Sequence, residues 1–343
     1  MTIARVHLVD PLVSRWYHCI TRCVRRAKLL GEKTDRKDWI ENRLKELADI
    51  FGVSVAGFAV LDNHLHLLVR LDPETVKNWS DEEVIRRWAR LFPPRDKMRR
   101  PLEPSDDWVN GHRLNAAWIK RARERLASLS WFMKCLKEPL ARLANQQDQA
   151  SGAFFEGRFK SIAILDEESL LAICAYIDLN PVAAGMAPLP EASHHTSIKQ
   201  RVDHVAAQGR TEDLKAARVS GAVASKQAAG LEETHWLCPV EDRRRIDSTR
   251  EGMIEGFSLG SYLLLVDYTA RLFREGKATL SREMAEILDR LHTSAEQWQA
   301  RLDRLRTGRP LGRFFAATRA RLREIGTRLN LKHVPNLGGC PVT

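Results

Sequence analysis

The chain has no long apolar run. No segment offers about 18 uninterrupted apolar residues, and the best stretch, SLGSYLLLV, is too short, so no membrane span is expected. Its opening residues, MTIARVHLVDPLV, lack the apolar centre of a secretory leader. Cysteine is sparse: six in 343 residues, none in a C-x-x-C pair, several within apolar runs. That argues against a disulfide framework and for buried thiols in a reducing compartment, so a cytoplasmic location is expected. Cys19 and Cys23 stand four apart with no partner pair nearby, which makes a poor zinc site. No internal repeat is evident, and the glycine-and-aromatic strand motif of RNA recognition modules is missing. Acidic residues are in deficit, 44 against 55 basic ones, for a net charge of +11. A polyanionic partner follows from that excess, nucleic acid being the commonest. Most of the excess lies in residues 301–332, with ten Lys/Arg against Asp303 and Glu324.

What is present reads as an alternation of strands and helices. Residues 14–22, SRWYHCITR, are aromatic and β-branched and predict a strand. Over residues 36–51 Trp39, Ile40, Leu44, Leu47, Ala48 and Phe51 recur at helical spacing. Residues 53–61 predict a second strand and 64–70 a third, joined by the turn-forming pair Asp62-Asn63, both of which tolerate left-handed φ. Residues 71–122, broken by five prolines and carrying runs such as RDKMRR, read as an insertion with helices near 80–92 and 113–123. A long helix is predicted over about 124–145, a fourth strand over 153–165, and a helix over 167–179 capped by Asp166 and stopped by Pro181. The order β-α-β-β-α-β-α predicts an α+β fold, a ferredoxin-like βαββαβ core with an antiparallel sheet. Residues 1–188 form the expected domain, residues 189–250 a polar, irregular linker, and residues 251–343 a basic helical region.

Chemistry is concentrated in two places. In LDNHLHLLVR, strand alternation sends Leu65, Leu67 and Val69 to one face and His64 and His66 together to the other. Two neutral imidazoles at i and i+2 can share a metal ion, although such a pair alone more often serves packing or surface. In AICAYIDLN, Tyr176 and Asn180 share a helix face if the helix runs that far, with small Ala172 beside the tyrosine. Alone, that reads as a core tyrosine and an Asn cap.

The segments YHCITR, HLH after a hairpin turn, GAFFEGRFKS and YIDLNPVAAG occur in that order. Together they resemble the HUH single-tyrosine transposases, and among them the REP-associated tyrosine transposases, over roughly residues 14–188. The resemblance implies that His64 and His66 bind a divalent metal, Mg²⁺ or Mn²⁺, with Asn180 as a third ligand where the wider group usually has glutamine. It implies that Tyr176 is the nucleophile, cutting single-stranded DNA and leaving a 5′-phosphotyrosine. The implied partner is a palindromic DNA hairpin with a flanking single strand; the protein acts as a monomer or a homodimer. Arg22, Arg25, Arg26, Arg158 and Lys160 are candidate DNA contacts. Trp16, Phe154 and Phe155 are candidates for base stacking, with packing as the competing role. The C-terminal basic helices are expected to clamp a hairpin stem; His18, on the first strand, is expected to be packed, with a place near the site as the alternative. The competing readings are a catalytically silent DNA-binding protein on the same scaffold and an RNA-binding protein of ferredoxin-like fold.

Overall fold

The computed structural model describes residues 9–31, 34–217, 229–245, 250–275, 282–291, 293–307 and 315–316. Strand β1 (Trp16–Arg22) is followed by helix α1 (Arg36–Ile50), the hairpin of β2 (Val53–Val60) and β3 (His64–Leu71), and a helical stretch. That stretch holds α2 (Pro73–Asn78), α3 (Asp81–Leu91), α4 (Asp106–Arg113) and α5 (Ala116–Leu126), and leads into α6 (Leu129–Gln147). Strand β4 (Lys160–Ile164) and helix α7 (Glu167–Asp178) come next. The sheet order is β2-β3-β1-β4, all neighbours antiparallel, with α1 and α6 packed together on one face. This is the ferredoxin-like core expected from the sequence.

Local chemistry explains most boundaries. Ser80, Ser105 and Asn115 each accept a backbone N–H of the first turn of α3, α4 and α5. On α3 three acidic residues open the helix and Arg90 closes it, matching the helix dipole. Asp166 caps α7 by accepting from the Ser169 N–H at 2.8 Å, as predicted. The single long helix expected from 124 breaks at Ala127-Ser128, where Ser128 turns to extended backbone, so α5 and α6 are separate. The fourth strand is shorter than expected and begins only at Lys160. The β2–β3 reversal is closed by the Leu61 N–H donating to His64 O at 2.9 Å. Neither Asp62 nor Asn63 uses the left-handed φ that the pair was expected to supply.

The sheet is covered on both faces. Leu65, Leu67 and Val69 face α1 and α6, as strand alternation requires. Leu68, Ile162 and Ile164 face the other way, toward α7. Helix α7 is apolar nearly all round: every residue from Ser169 to Asp178 is buried except Tyr176, which is half-buried. A helix with that composition must be covered on both sides. Its outer cover comes from α9 (Ser197–Ala207), α11 (Leu259–Glu275) and α13 (Ala295–Thr307); between them in the chain lie the one-turn α8 (Asn180–Ala183), α10 (Thr211–Ala216) and α12 (Arg282–Arg290). The stretch 189–250, expected to be an irregular linker, is thus partly helical and part of the core. Arg201 on α9 is 1% exposed, pairs with Glu232, and donates to the Ala56 and Cys238 carbonyls at 2.8 Å. A polar segment can bury itself in this way when its charges pair internally. Two short strands, β5 (Glu241–Asp242) and β6 (Ile254–Glu255), pair in parallel, and β7 (Phe315–Ala316) adds a short parallel edge to β4. No helix among the described residues is long and apolar enough to cross a membrane.

Two buried polar ties hold α7. Near its start Glu168 pairs with Arg301 of α13 at 2.7 Å. At its end Asp178, 0% exposed, accepts from Ser197 Oγ at 2.6 Å, the Ile198 N–H at 3.0 Å and Tyr262 Oη of α11 at 2.5 Å.

Candidate active site

The antiparallel register builds the site row by row. His64 stands opposite Arg22, His66 opposite Ile20, and Ile20 opposite Lys160 on β4. Residues directly opposite share a face, so both motif histidines, Arg22 and Lys160 lie on the α7 side of the sheet. His18, two residues before Ile20, joins them: its ring stacks on His66 at 5.1 Å between centroids, with Nε2 2.8 Å from His66 Nδ1. The His64 and His66 rings are 4.8 Å apart and edge to face. On the far side of His64, Nδ1 lies 2.6 Å from Asn63 Oδ1.

Helix α7 brings Tyr176 over this cluster. Its ring is 5.7 Å from His66 and 6.3 Å from His18, edge-on to both. Asn180 falls just beyond the end of α7, in the first turn of α8. Its Nδ2 nevertheless lies 3.5 Å from His66 Nε2. Tyr176, His64, His66 and Asn180, singled out on two distant segments, therefore converge within one chain. Ile173 and Ile177 point away into the core, and Ala172 is buried.

The imidazoles are held neutral. Burial pushes His18 down to about 3. Burial, and then the charge of Arg22, lowers His64 to about 4. His66 falls well below its ordinary value through burial first, then through His18, His64 and Arg22. A neutral imidazole is the form that ligates a metal. Among the described residues no three His, Cys, Asp or Glu side chains are grouped to hold an ion; the set here is two imidazoles and an amide. That set fits a divalent ion with open coordination positions. Both motif histidines have Nδ1 engaged inside the protein, which leaves Nε2 of His64 and, beside the Asn180 amide, Nε2 of His66 as the nitrogens that could meet an ion.

The basic candidates separate into kinds. Arg25 and Arg26 are exposed on a tight turn after β1, each with φ 55°. Arg158, just before β4, and Lys160 at its start are exposed, while Phe159 between them is 6% exposed. Lys160 stands opposite Ile20, two residues from Arg22 on the same face, and burial, then Arg22, lowers its amine. Arg22 is half-buried beside His64. The stacking candidates Phe154 and Phe155 are 3% and 9% exposed and serve as packing, with Arg36 5.8 Å from the Phe154 ring centre. Trp16 is half-buried under Arg70. Of the C-terminal cations, Arg301 is buried against Glu168 in the interior. Arg309, Arg313, Arg319, Arg321, Arg323, Arg328 and Lys332 lie outside the described residues, as do the side chains of Arg304 and Arg306. A separate cleft of about 600 Å³, lined by Lys45, Asp49, Arg90 and Arg250 among others, contains none of the site residues.

The sequence left one neighbour of the histidines open and gave no signal for another. His18, for which a place near the site stood beside packing, is both: it is buried and it is the partner of His66. The period-2 pattern of β1 placed it on one face, but only the pairing register shows which side chain it meets. Asn63 was read as a turn residue, and nothing in its spacing signals that its amide meets His64.

The fold and the histidine pair opposite a tyrosine helix are those expected of a transposase-like protein. In agreement, residues 12–78 match the family of IS200-like transposases. The matched stretch runs from just before β1 to the end of α2; it contains His64 and His66 and stops before Tyr176 and Asn180. A solved structure described as a REP-associated tyrosine transposase bound to a REP hairpin resembles this chain at 12% identity and a TM-score of 0.36, over 59% of this chain and 86% of that one. At that score the likeness says nothing by itself about function. No curated protein matches the chain.

Proposed function

We propose that the protein is a metal-dependent, single-tyrosine DNA strand transferase acting on a hairpin with a flanking single strand. The observation that carries this reading is the meeting of Tyr176 with His66, 5.7 Å between ring centres, within one chain. A core tyrosine would have no reason to face a cluster of neutral imidazoles at a half-exposed position.

His64 and His66 would hold the ion through Nε2, with the Asn180 amide as a third donor. A bound Mg²⁺ or Mn²⁺ supplies charge stabilisation at the scissile phosphate. The chain's own residues do the rest. Helix α7 holds the phenol in place, which converts attack into an oriented encounter. The phenolic oxygen bonds to phosphorus, the P–O3′ bond breaks, and the phenolic proton ends on the departing O3′. A 5′-phosphotyrosine and a 3′-hydroxyl remain, so the joined strand keeps its bond energy for resealing. Arg22, Arg25, Arg26, Arg158 and Lys160 offer positive charge around that position for the phosphate backbone.

The test is a labelled hairpin oligonucleotide incubated with Mn²⁺ and run on a denaturing gel. A covalent adduct that vanishes in Tyr176→Phe while hairpin binding persists supports the reading. Binding without any adduct would favour a catalytically silent DNA-binding protein, and preference for RNA would overturn both.

A further inference from the structure

Arg25 and Arg26 are consecutive and both left-handed, a backbone that residues other than glycine avoid. The surrounding chain over-determines this turn. The Cys23 N–H donates to Asn63 O at 2.9 Å, the Val24 N–H to Phe154 O at 3.0 Å, and the Ala27 N–H to Val24 O at 3.0 Å. The Asn63 side chain adds a further tie, Nδ2 to Arg26 O at 3.2 Å.

That tie settles a choice on the other side of Asn63. A carbonyl oxygen only accepts, so the amide must turn its nitrogen to Arg26 and its oxygen to His64. Asn63 Oδ1 lies 2.6 Å from His64 Nδ1. An amide oxygen also only accepts, so His64 carries its hydrogen on Nδ1. In a neutral imidazole the lone pair then sits on Nε2.

We propose that Asn63 is a positioning residue: it selects the Nδ1–H tautomer of His64, presents Nε2 as the ligand atom, and couples that choice to the Arg25–Arg26 turn. His18 occupies the corresponding place at Nδ1 of His66, whose Nε2 lies 3.5 Å from the Asn180 amide. The consequence for metal affinity rests on the reading of His64 as a ligand; the tautomer itself does not.

The experiment uses the full chain, metal-free, with ¹⁵N-labelled histidine. Long-range ¹H–¹⁵N correlations at neutral pH report which imidazole nitrogen bears hydrogen, and comparison with His64→Gln assigns the signal. The wild-type protein is expected to show His64 as Nδ1–H. Asn63→Ala is expected to move it toward the Nε2–H form that free side chains prefer. Asn63→Asp keeps an acceptor at Nδ1 while losing the tie to Arg26, and is expected to retain the wild-type tautomer. An Nε2–H signal for His64 in the wild type, or an unchanged tautomer in folded Asn63→Ala, overturns the proposal.

Mn²⁺ titration followed by electron paramagnetic resonance gives the second readout. Loss of an outer partner of a metal-bound histidine is expected to weaken binding about 10–100-fold in Asn63→Ala, and by less in Asn63→Asp. Equal affinity in all three proteins overturns the ligand consequence. A wild-type protein that binds no Mn²⁺ overturns the metal reading itself, and is told apart because the tautomer spectrum is recorded without metal.

Discussion

Substituting Tyr262 with phenylalanine tests whether the C-terminal helices hold the tyrosine helix. The change deletes one oxygen and leaves the ring. In the native protein that oxygen donates to Asp178 Oδ2 at 2.5 Å, in a site where Asp178 and Tyr262 are both 0% exposed. Burial pushes the Asp178 carboxyl above its ordinary range, against the pull of its three donors. After the change Oδ1 keeps Ser197 and the Ile198 N–H, while Oδ2 loses its donor, the Tyr262 hydroxyl. A hydrogen bond to a buried, ionisable acceptor contributes about 1.5–3 kcal/mol, and a loss of about 2 kcal/mol is expected. Urea unfolding measures it directly, as a shift of midpoint at unchanged slope. The same substitution in an Asp178→Asn background should cost clearly less, since the interaction it removes is already altered. Adduct yield with the hairpin should fall as well, because Asp178 is two residues from Tyr176. A cost below about 0.5 kcal/mol, or an identical cost in both backgrounds, would refute the account of how α7 is anchored.

Tyr176→Phe should abolish the covalent adduct and leave hairpin affinity within about twofold, read by gel and by fluorescence anisotropy; adduct persisting in the variant rejects Tyr176 as nucleophile. Acid should destabilise the fold below about pH 6.5. His18 and His235 are held near 3 by burial, so the unfolded chain binds more protons than the folded one between those values, and stability drops as pH falls. At pH 5 each should cost about 2 kcal/mol relative to neutral pH; equal urea midpoints at pH 7 and pH 5 would contradict this. Replacing Arg25 and Arg26 together with alanine should flatten the dependence of log affinity on log salt by about 1.4, for two contacts to single-stranded phosphates, whereas an unchanged slope removes that turn from the DNA path.

The part of the fold that depends on periodicity was legible in the sequence. Alternation in VSVAGFAVL and HLHLLVR placed the hairpin and sent His64 and His66 to a common face. Helical spacing from Trp39 to Phe51 placed α1. What failed to show was governed by contacts between distant segments. The α5–α6 break depends on Ser128 leaving the helix, within a run whose leucines continue the pattern across it. The stretch 189–250 looked like a linker because Arg201 and Glu232 read as surface charges until they are seen to neutralise each other in the interior. The apolar character of α7 on every side did carry a signal, that something must cover its outer face; which helices do so was not readable. At the site, Tyr176, His64, His66 and Asn180 came from motifs. Asn63 and His18 did not, because their partners are set by turn geometry and strand register.

Under the proposed strand transfer, the ties at the two ends of α7 bear on the order of events. Glu168 is fastened to Arg301 and Asp178 to Tyr262 and Ser197. A helix riveted at both ends cannot swing outward carrying a severed end. If Tyr176 is the nucleophile as proposed, whatever becomes attached to it would stay parked at one spot above the sheet, and the incoming strand would have to travel to it. The tempo of the exchange would then follow the folding and diffusion of the nucleic acid, with the protein as the stationary party.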